Sequence, residues 1–314
     1  MVGQITRDLV LTVDQVPAPT NTTRVRERRG NLGGKGGNQA VGLAQLGVRV
    51  SLLGVVGDDQ VGRRVLDQAR SDGIDTSPVV RRSGTETAVV VNIVDGEGQW
   101  HYLESMPPAT LLAEPDVAAA QALDVASAVL VQLQQPTSTA RACRGTPCPR
   151  CRARVLLLDG APEDERQRDA LLATADTVGA DTREAEKLTG TRVTDAESAL
   201  RVGRELLRLG PWMVALEVSS DGNVFIWHGG EALIPLVDTP VVDTTGAGDA
   251  LVAGLVAALL RRQEPRQAAH FAVAAAAATG DMPAGGPTCR PKRSTSNWSK
   301  SARSRLGPGS GPKM

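Results

Sequence analysis

Aromatic side chains are scarce in this chain of 314 residues, where they make up 2% of the sequence. Proteins that bind single-stranded nucleic acid stack the bases on aromatic side chains, so this scarcity argues against that class. An excess of charge is also lacking, because 35 basic residues balance 35 acidic ones. A neutral chain is not expected to bind nucleic acid or anionic membranes in general.

Long apolar runs are missing as well. No stretch reaches the roughly 18 apolar residues expected of a membrane-spanning helix. Met1 to Val10 contains no basic region followed by a long apolar run, so no signal peptide is predicted. We therefore expect a cytoplasmic protein with no membrane partner. The hydrophobic content of 41% is enough for a sizeable core.

Cysteine is rare, with four residues in the chain. Three of them, Cys143, Cys148 and Cys151, are clustered, and the last two have the spacing of a zinc knuckle or a redox pair. No second Cys/His pair follows at a suitable distance. This favours cysteines that lie by chance in an Arg/Pro-rich connection over a metal site.

Strand-like and helix-like segments alternate along most of the chain, which is typical of α/β proteins. Residues 85–104 differ, because β-branched residues lead into a turn at Asp95–Gly98 and a second strand starts at Trp100. A hairpin inserted in an α/β chain predicts a lid, which we place at about residues 9–32 and 85–106.

Two segments interrupt the alternation. Residues 137–154 are rich in Arg, Pro and Cys where a helix is expected. Residues 283–314 contain many Pro, Gly, Ser, Arg and Lys residues, so we predict a disordered tail after a folded domain spanning residues 1–282. One hypothesis for both segments is a shifted reading frame, between residues 137 and 154 and after about Ala278, which resequencing of the gene would test.

The segment Val241–Leu251 carries the clearest chemical signal. A strand end is followed by Gly246-Ala247-Gly248, then by Asp249, then by apolar residues at helical spacing. The helix start offers unpaired N–H groups and the positive end of the helix dipole to a phosphate. A carboxylate does not bind an anion, so Asp249 is expected to take a proton from a hydroxyl group. The combination predicts transfer of a phosphoryl group to an alcohol.

Two motifs far apart in the chain support this interpretation. Residues 33–40 (GGKGGNQA), a glycine-rich loop before a helix, resemble the N-terminal signature of the ribokinase-like carbohydrate kinases, the phosphofructokinase B type. Residues 243–249 (DTTGAGD) resemble the C-terminal signature of the same family, and residues 184–190 resemble a third block. The resemblance extends from about residue 2 to about residue 280.

The resemblance implies a Rossmann-like three-layer α/β sandwich with a small β lid. It also implies an ATP-dependent phosphotransferase with an alcohol acceptor, which uses Mg²⁺ and is activated by K⁺. Both signatures are most similar to those of the ribokinases, which implies conversion of D-ribose to D-ribose 5-phosphate. Members of the family often form homodimers through the lid.

The family roles can be carried over residue by residue. Asp249 would be the general base, and the amides of Gly246, Ala247 and Gly248 would form the anion hole. Glu184 would organise Mg²⁺ through water, while Asp243 and the Thr245 carbonyl match a K⁺ site. The substrate-binding positions are Asp8, Gly34, Lys35, Asn38, Gln134 and Asp249. The ATP-binding positions are Asp181, Glu217, Val218, Ser219, Ser220, Asp221, Gly222 and Gly248.

Several of these positions depart from the family pattern. Thr6 stands for an Asn and Gln134 for a Glu near the sugar, and Asp181 stands for an Asn near the phosphates. Glu217 and Ser219 replace the more usual Thr and Gly of the ATP turn. These changes leave open another kinase of the family, of the fructokinase, phosphofructokinase or adenosine kinase type, or a sugar-binding homologue with impaired catalysis.

Simpler roles also remain open for three of the site residues. Asp8 could be an exposed carboxylate at the end of a strand, and Lys35 a solvated lysine in a loop. Glu184 could be an acid that stabilises the dipole at the start of a helix.

Overall fold

The computed structural model describes residues 1–144, 155–218, 221–236 and 246–280. Its strands are β1 Thr6–Val13, β2 Val25–Gly33, β3 Val55–Gly57, β4 Val80–Arg82, β5 Val89–Val94, β6 Trp100–Ser105, β7 Ala128–Gln132, β8 Val155–Asp159, β9 Thr177–Ala180, β10 Met213–Val218, β11 Gly222–Trp227 and β12 Gly230–Ile234. Its helices are α1 Gly34–Gln45, α2 Gln60–Ser71, α3 Glu114–Ala118, α4 Ala122–Val125, α5 Thr137–Ala142, α6 Arg168–Leu172, α7 Thr182–Thr189, α8 Ala196–Leu207, α9 Ala247–Leu260 and α10 Pro265–Gly280. Single 3₁₀ turns lie at Pro108–Thr110 and Glu165–Gln167.

The main sheet has the strand order β12-β11-β10-β9-β8-β7, and β7 to β10 are parallel. It continues beyond β7, because Val2 bridges in parallel to both Val131 and Leu53, and Ser51 bridges to Asp75. The carboxyl ends of parallel strands meet at one edge of a sheet, where ligands of α/β proteins bind.

Helices cover both faces of this sheet, so the molecule has three layers. Alternate strand residues point to opposite faces. One face packs against α1, α2, α9 and α10, and the other packs against α5 to α8. The strand residues of the first face include Leu130, Leu157, Met213, Ala215 and Phe225. Those of the second face include Val129, Leu156, Leu158, Val214 and Leu216. The fold is therefore the α/β sandwich expected from the sequence.

A second, smaller sheet has the strand order β2-β1-β5-β6. The hairpin expected at residues 85–104 is present, because β5 and β6 pair antiparallel across the Asp95–Gly98 turn. Strand β1 leads from the main sheet into the small one, and β2 leads back into α1. The small sheet is thus joined directly to the helix that carries the first glycine-rich motif.

One local prediction, the glycine-rich loop of the first motif, was wrong. Gly33–Asn38 is not a loop, because α1 already begins at Gly34, which has a φ of +76°. Gly34 and Gly36 let the helix start pack against the backbone of residues 3 and 4. Elsewhere in the chain, the 3₁₀ turn at Glu165–Gln167 is followed directly by the short helix α6.

The segment at residues 137–154 is helical at its start, since residues 137–142 form α5 and Cys143 is buried at its end. Cys148 and Cys151 lie outside the described residues, as does the predicted tail 283–314. Within the described ranges, no helix is both long enough and apolar enough to cross a membrane.

Candidate active site

Asp249 is the buried acid at the centre of the site. It lies in the first turn of α9, a helix whose residues are apolar almost all round and nearly all buried. Two side chains from α1 hold it: Asn38 Nδ2 donates to Asp249 Oδ2 at 3.0 Å, and Gln39 Nε2 donates to Asp249 Oδ1 at 3.0 Å. The two signature motifs, 211 residues apart in sequence, are therefore in direct contact.

Burial first, and then the nearby charge of Asp159, raise the pKa of Asp249 to about 7. The bonds from Asn38 and Gln39 and the charge of Lys35 oppose this rise. A carboxyl group that titrates near neutrality is well matched to exchange a proton with a substrate hydroxyl.

The start of α9 is open for an anion. Gly246 is its N-cap, with a φ of +83° that favours glycine, and the first intrahelical bond runs from the Ala250 N–H to the Gly246 carbonyl. The amides from Gly246 to Asp249 thus have no partner inside the helix. Gly246, Gly248 and Asp249 line a cavity of about 190 Å³ together with four acids and one lysine: Asp159, Asp181, Glu184, Glu217 and Lys35.

Lys35 is the basic side chain of this cavity, and it is not a solvated loop lysine. Its Nζ lies 2.7 Å from Glu184 Oε1 and 3.8 Å from Asp159 Oδ2. Burial alone would lower its pKa, but the charges of Asp159 and Glu184 outweigh burial and raise it. Lys35 therefore brings a permanent positive charge from the first motif to the acids at the carboxyl edge of the sheet.

Acidic side chains follow three neighbouring parallel strands at that edge. Asp159 ends β8, Asp181 follows β9, and Glu217 lies near the end of β10. Burial and Glu184 raise the pKa of Asp159 to about 6, opposed by Lys35 and Gln39. Burial, then Asp181 and Glu184, raise the pKa of Glu217. These carboxylates concentrate negative charge where a nucleotide would bring its phosphates.

Asp181 and Glu184 also stabilise α7. They form a capping box, in which the Glu184 N–H donates to Asp181 Oδ1 at 2.7 Å and the Asp181 N–H donates to Glu184 Oε2 at 3.0 Å. The simple role considered for Glu184, an acid at a helix start, is thus present. It leaves Oε1 to accept the bond from Lys35.

Asp8, one of the predicted substrate-binding residues, lies against the beginning of α1. Thr6 Oγ1 donates to Asp8 Oδ1 at 2.6 Å, and the Asp8 carboxyl group lies directly over Gly33. Burial raises the pKa of Asp8, while the bonds from Thr6 and the Gly34 amide lower it. Gln134 is exposed, and its carbonyl accepts a bond of 3.3 Å from Gln4 Nε2. Its side chain has no described contact with Asp8 or Asn38.

The remaining predicted ATP residues are spread along the end of β10 and the turn to β11. Val218 is buried in β10, and Gly222 begins β11 with a φ of +110°. Asp221 accepts a bond of 3.0 Å from the Ala196 N–H at the start of α8. Ser219, Ser220, Asp243 and Thr245 lie outside the described residues.

The sequence interpretation missed two residues that are linked to Asp249 by hydrogen bonds: Gln39 and, through it, Asp159. Gln39 is fully buried and follows Asn38 in the first motif, and Asp159 closes a buried strand immediately before Gly160. A carboxylate at the end of a parallel strand is a signal that could have been used, because that edge carries the ligand site in such folds.

Comparison with known proteins places the chain in a family. Residues 1–284 match the pfkB family carbohydrate kinases, and the chain belongs to that family. It is an ATP-dependent phosphotransferase and a sugar kinase.

Individual relatives are of modest identity. The chain is 28% identical to a ribokinase of Haemophilus influenzae over 278 residues, covering 88% of this chain and 90% of the relative. It is also 28% identical, with the same coverage, to an ATP-dependent ribose-1-phosphate kinase of Halopiger xanaduensis. The solved ribokinase of Thermotoga maritima superposes with a TM-score of 0.77 at 25% identity, covering 93% of this chain and 95% of that one.

Proposed function

We propose that the chain is a ribokinase, which transfers the γ-phosphoryl group of ATP to the 5-hydroxyl of D-ribose. The observation that carries this proposal is the contact between Asn38 of the first motif and Asp249 of the second, beside the open amides of α9. A sugar hydroxyl bound next to Asn38 would be in reach of the Asp249 carboxylate.

In this mechanism Asp249 takes the proton of the attacking hydroxyl as the new O–P bond forms, and ADP leaves with the electrons of the broken bond. The amides of Gly246, Ala247 and Gly248 stabilise the charge on the transferred group. Lys35, which also lines the cavity, adds a positive charge. Since phosphoryl transfer depends mainly on positioning and charge stabilisation, these groups are sufficient to define the centre.

The donor set also suits Mg²⁺, which prefers oxygen ligands and retains several of its waters. Glu184 would hold the ion through water, with Asp181 and Glu217 nearby. Within the described residues, no three His, Cys, Asp or Glu side chains are arranged to bind a metal ion directly. When bound, the ion would neutralise phosphate charge. The K⁺ site proposed at Asp243 and Thr245 lies outside the described residues.

Two further proposals concern the small sheet and the location of the protein. We propose that the small sheet acts as a lid over the sugar and as a surface for homodimer formation. Tyr102 is 56% exposed and Leu103 is 61% exposed on β6, an edge strand. Light scattering of wild type and Leu103→Glu tests the dimer. The cytoplasmic location remains a prediction.

The substrate is tested by measuring ADP release with a panel of acceptors: D-ribose, ribose 1-phosphate, D-fructose, fructose 6-phosphate and adenosine. The proposal expects the highest kcat/KM with D-ribose, and ribose 5-phosphate as the product by NMR. A higher kcat/KM with any other acceptor would replace ribose with that compound. No turnover with any acceptor, together with retained sugar binding, would favour the sugar-binding homologue.

A further inference from the structure

Gln39 connects two buried carboxylates that belong to different elements. Its side-chain Nε2 donates to Asp159 Oδ2 at 2.7 Å and to Asp249 Oδ1 at 3.0 Å. Gln39 is 0% exposed, and Asp159 at the end of β8 is 5% exposed. Both hydrogens of one amide group are therefore used to join the acid of α9 to the acid of the sheet edge.

The orientation of this amide follows from its neighbours. If the amide were turned over, Gln39 Oε1 would face two carboxylate oxygens and would repel them. In the orientation present, Oε1 is buried and has no hydrogen-bond partner among the described residues. A buried carbonyl without a partner destabilises a protein. This residue is thus better suited to hold the two acids than to fill the core.

We propose that Gln39 and Asp159 are positioning residues for the base Asp249, an inference that rests on the proposed function. Gln39 holds one carboxylate oxygen of Asp249 while Asn38 holds the other, at 3.0 Å each. Asp159 fixes the Gln39 amide from the opposite side. With both oxygens held, the carboxylate cannot rotate away from the cavity that it lines.

Charge gives Asp159 a second effect on Asp249. The charged groups that face this cluster are Lys35 from α1, Asp181 and Glu184 from the start of α7, and Glu217 from β10. After burial, the charge of Asp159 is the main influence that raises the pKa of Asp249. An Asn at position 159 would keep an oxygen for the Gln39 bond and remove the charge.

Two variants separate positioning from charge. Gln39→Met keeps the side-chain volume and removes the donor, so kcat should fall by about 10- to 100-fold, as for a misplaced catalytic group, with the KM for sugar and ATP changed less than about threefold. Asp159→Asn should keep kcat at alkaline pH, and should move the acid limb of the kcat/KM profile to lower pH by about one unit. Gln167→Met, in the exposed 3₁₀ turn, is the matched control and should change neither.

A readout without turnover tests the same contacts. In protein labelled with ¹³C at aspartate carboxyl groups, the Asp249 signal is assigned by its loss in Asp249→Asn. Its titration should shift to lower pH in Asp159→Asn. If wild type phosphorylates no sugar, the proposed function fails, and this titration still decides the coupling.

An unchanged Asp249 titration in Asp159→Asn would overturn the role of Asp159. A kcat for Gln39→Met equal to that of Gln167→Met would overturn the role of Gln39. Circular dichroism checks that each variant is folded. If Gln39→Met does not fold, the titration of Asp159→Asn decides the proposal.

Discussion

Asp249 is the residue on which the proposed chemistry depends most directly. We expect Asp249→Asn to reduce kcat by about 10²- to 10⁴-fold, because an amide cannot accept the hydroxyl proton. Nucleotide binding should be retained, since the Asp249 carboxylate is not expected to hold the phosphates. Steady-state kinetics and calorimetric titration with ATP measure the two effects. Asp67→Asn, on the exposed face of α2, serves as the control, and wild-type kcat in Asp249→Asn would refute the assignment.

Asp8 should affect the sugar and not the nucleotide. Its carboxyl group lies at Gly33 and accepts the Thr6 hydroxyl, and Asp8 is not among the residues that line the cavity with the acids of the sheet edge. Loss of a hydrogen bond to a charged group costs about 1.5–3 kcal/mol. We therefore expect Asp8→Asn to raise the KM for the sugar by roughly 10- to 100-fold, with the KM for ATP nearly unchanged. An equal rise in both KM values would contradict a role specific to the sugar.

Contacts between individual side chains could be predicted from the sequence only for residues that belong to the recognised family signatures. Asn38 and Asp249 belong to two signatures of one family, so their proximity was expected. The Lys35–Glu184 pair links residues 149 positions apart, and the spacing within either motif contains no information about that distance. Gln39 was missed because a glutamine inside a glycine-rich motif has no titratable group that draws attention to it.

At the scale of elements, the start of α1 depends on close backbone packing that only glycine allows. A Cβ atom at Gly36 would lie 2.6 Å from the Gln4 carbonyl oxygen and 2.6 Å from the Gly3 carbonyl carbon. A Cβ atom at Gly37 would instead meet the Leu32 side chain at 3.1 Å, which can move. Two adjacent glycines of one motif therefore differ in how well they tolerate a methyl group.

We expect Gly36→Ala to lower the free energy of unfolding by about 1–3 kcal/mol, as overpacking does. It should also reduce activity, because α1 carries Lys35, Asn38 and Gln39. Gly37→Ala is the matched control and should be closer to wild type in both respects. Urea denaturation and the kinase assay measure the two effects. Equal losses in the two variants would show that packing against Gln4 is not the reason for glycine at position 36.

For the whole molecule, the alternation of strands and helices was sufficient to predict an α/β protein, whereas the three layers were expected from the resemblance to the family. The order of the strands was not predictable in the same way. Val2 bridges to Leu53 on one side and to Val131 of β7 on the other, and the apolar pattern of so short a segment does not select its partners. The boundary between the main sheet and the small one also depends on pairing partners, since Val2 pairs in the main sheet and β1, which begins at Thr6, pairs in the small one.

The stability of the whole molecule should depend on pH through the buried acids. The folded state raises the pKa of Asp159 to about 6 and of Asp249 to about 7, against about 3.9 for an unfolded aspartate. Between these values the folded protein retains protons that the unfolded chain has released. The contribution of these two acids to the free energy of unfolding is complete below about pH 4, and it is lost as the pH rises through 6 and 7.

The amino group of Met1 has the opposite effect on stability at higher pH. Burial lowers its pKa to about 6 from 8.0, so its effect is to raise the free energy of unfolding as the pH rises between these values. Carboxyl groups whose pKa is lowered in the folded state, such as those of Asp59 and Asp195, change the free energy of unfolding below about pH 4. In the interval from about pH 4.5 to about pH 6, the acids with a raised pKa act together, namely Asp159, Asp249, Asp8 and Glu217. There the melting temperature of the ligand-free protein should fall as the pH rises, and it should fall less steeply in Asp159→Asn. Asp67→Asn should retain the wild-type slope, and a wild-type slope in Asp159→Asn would show that Asp159 does not hold its proton in the folded state.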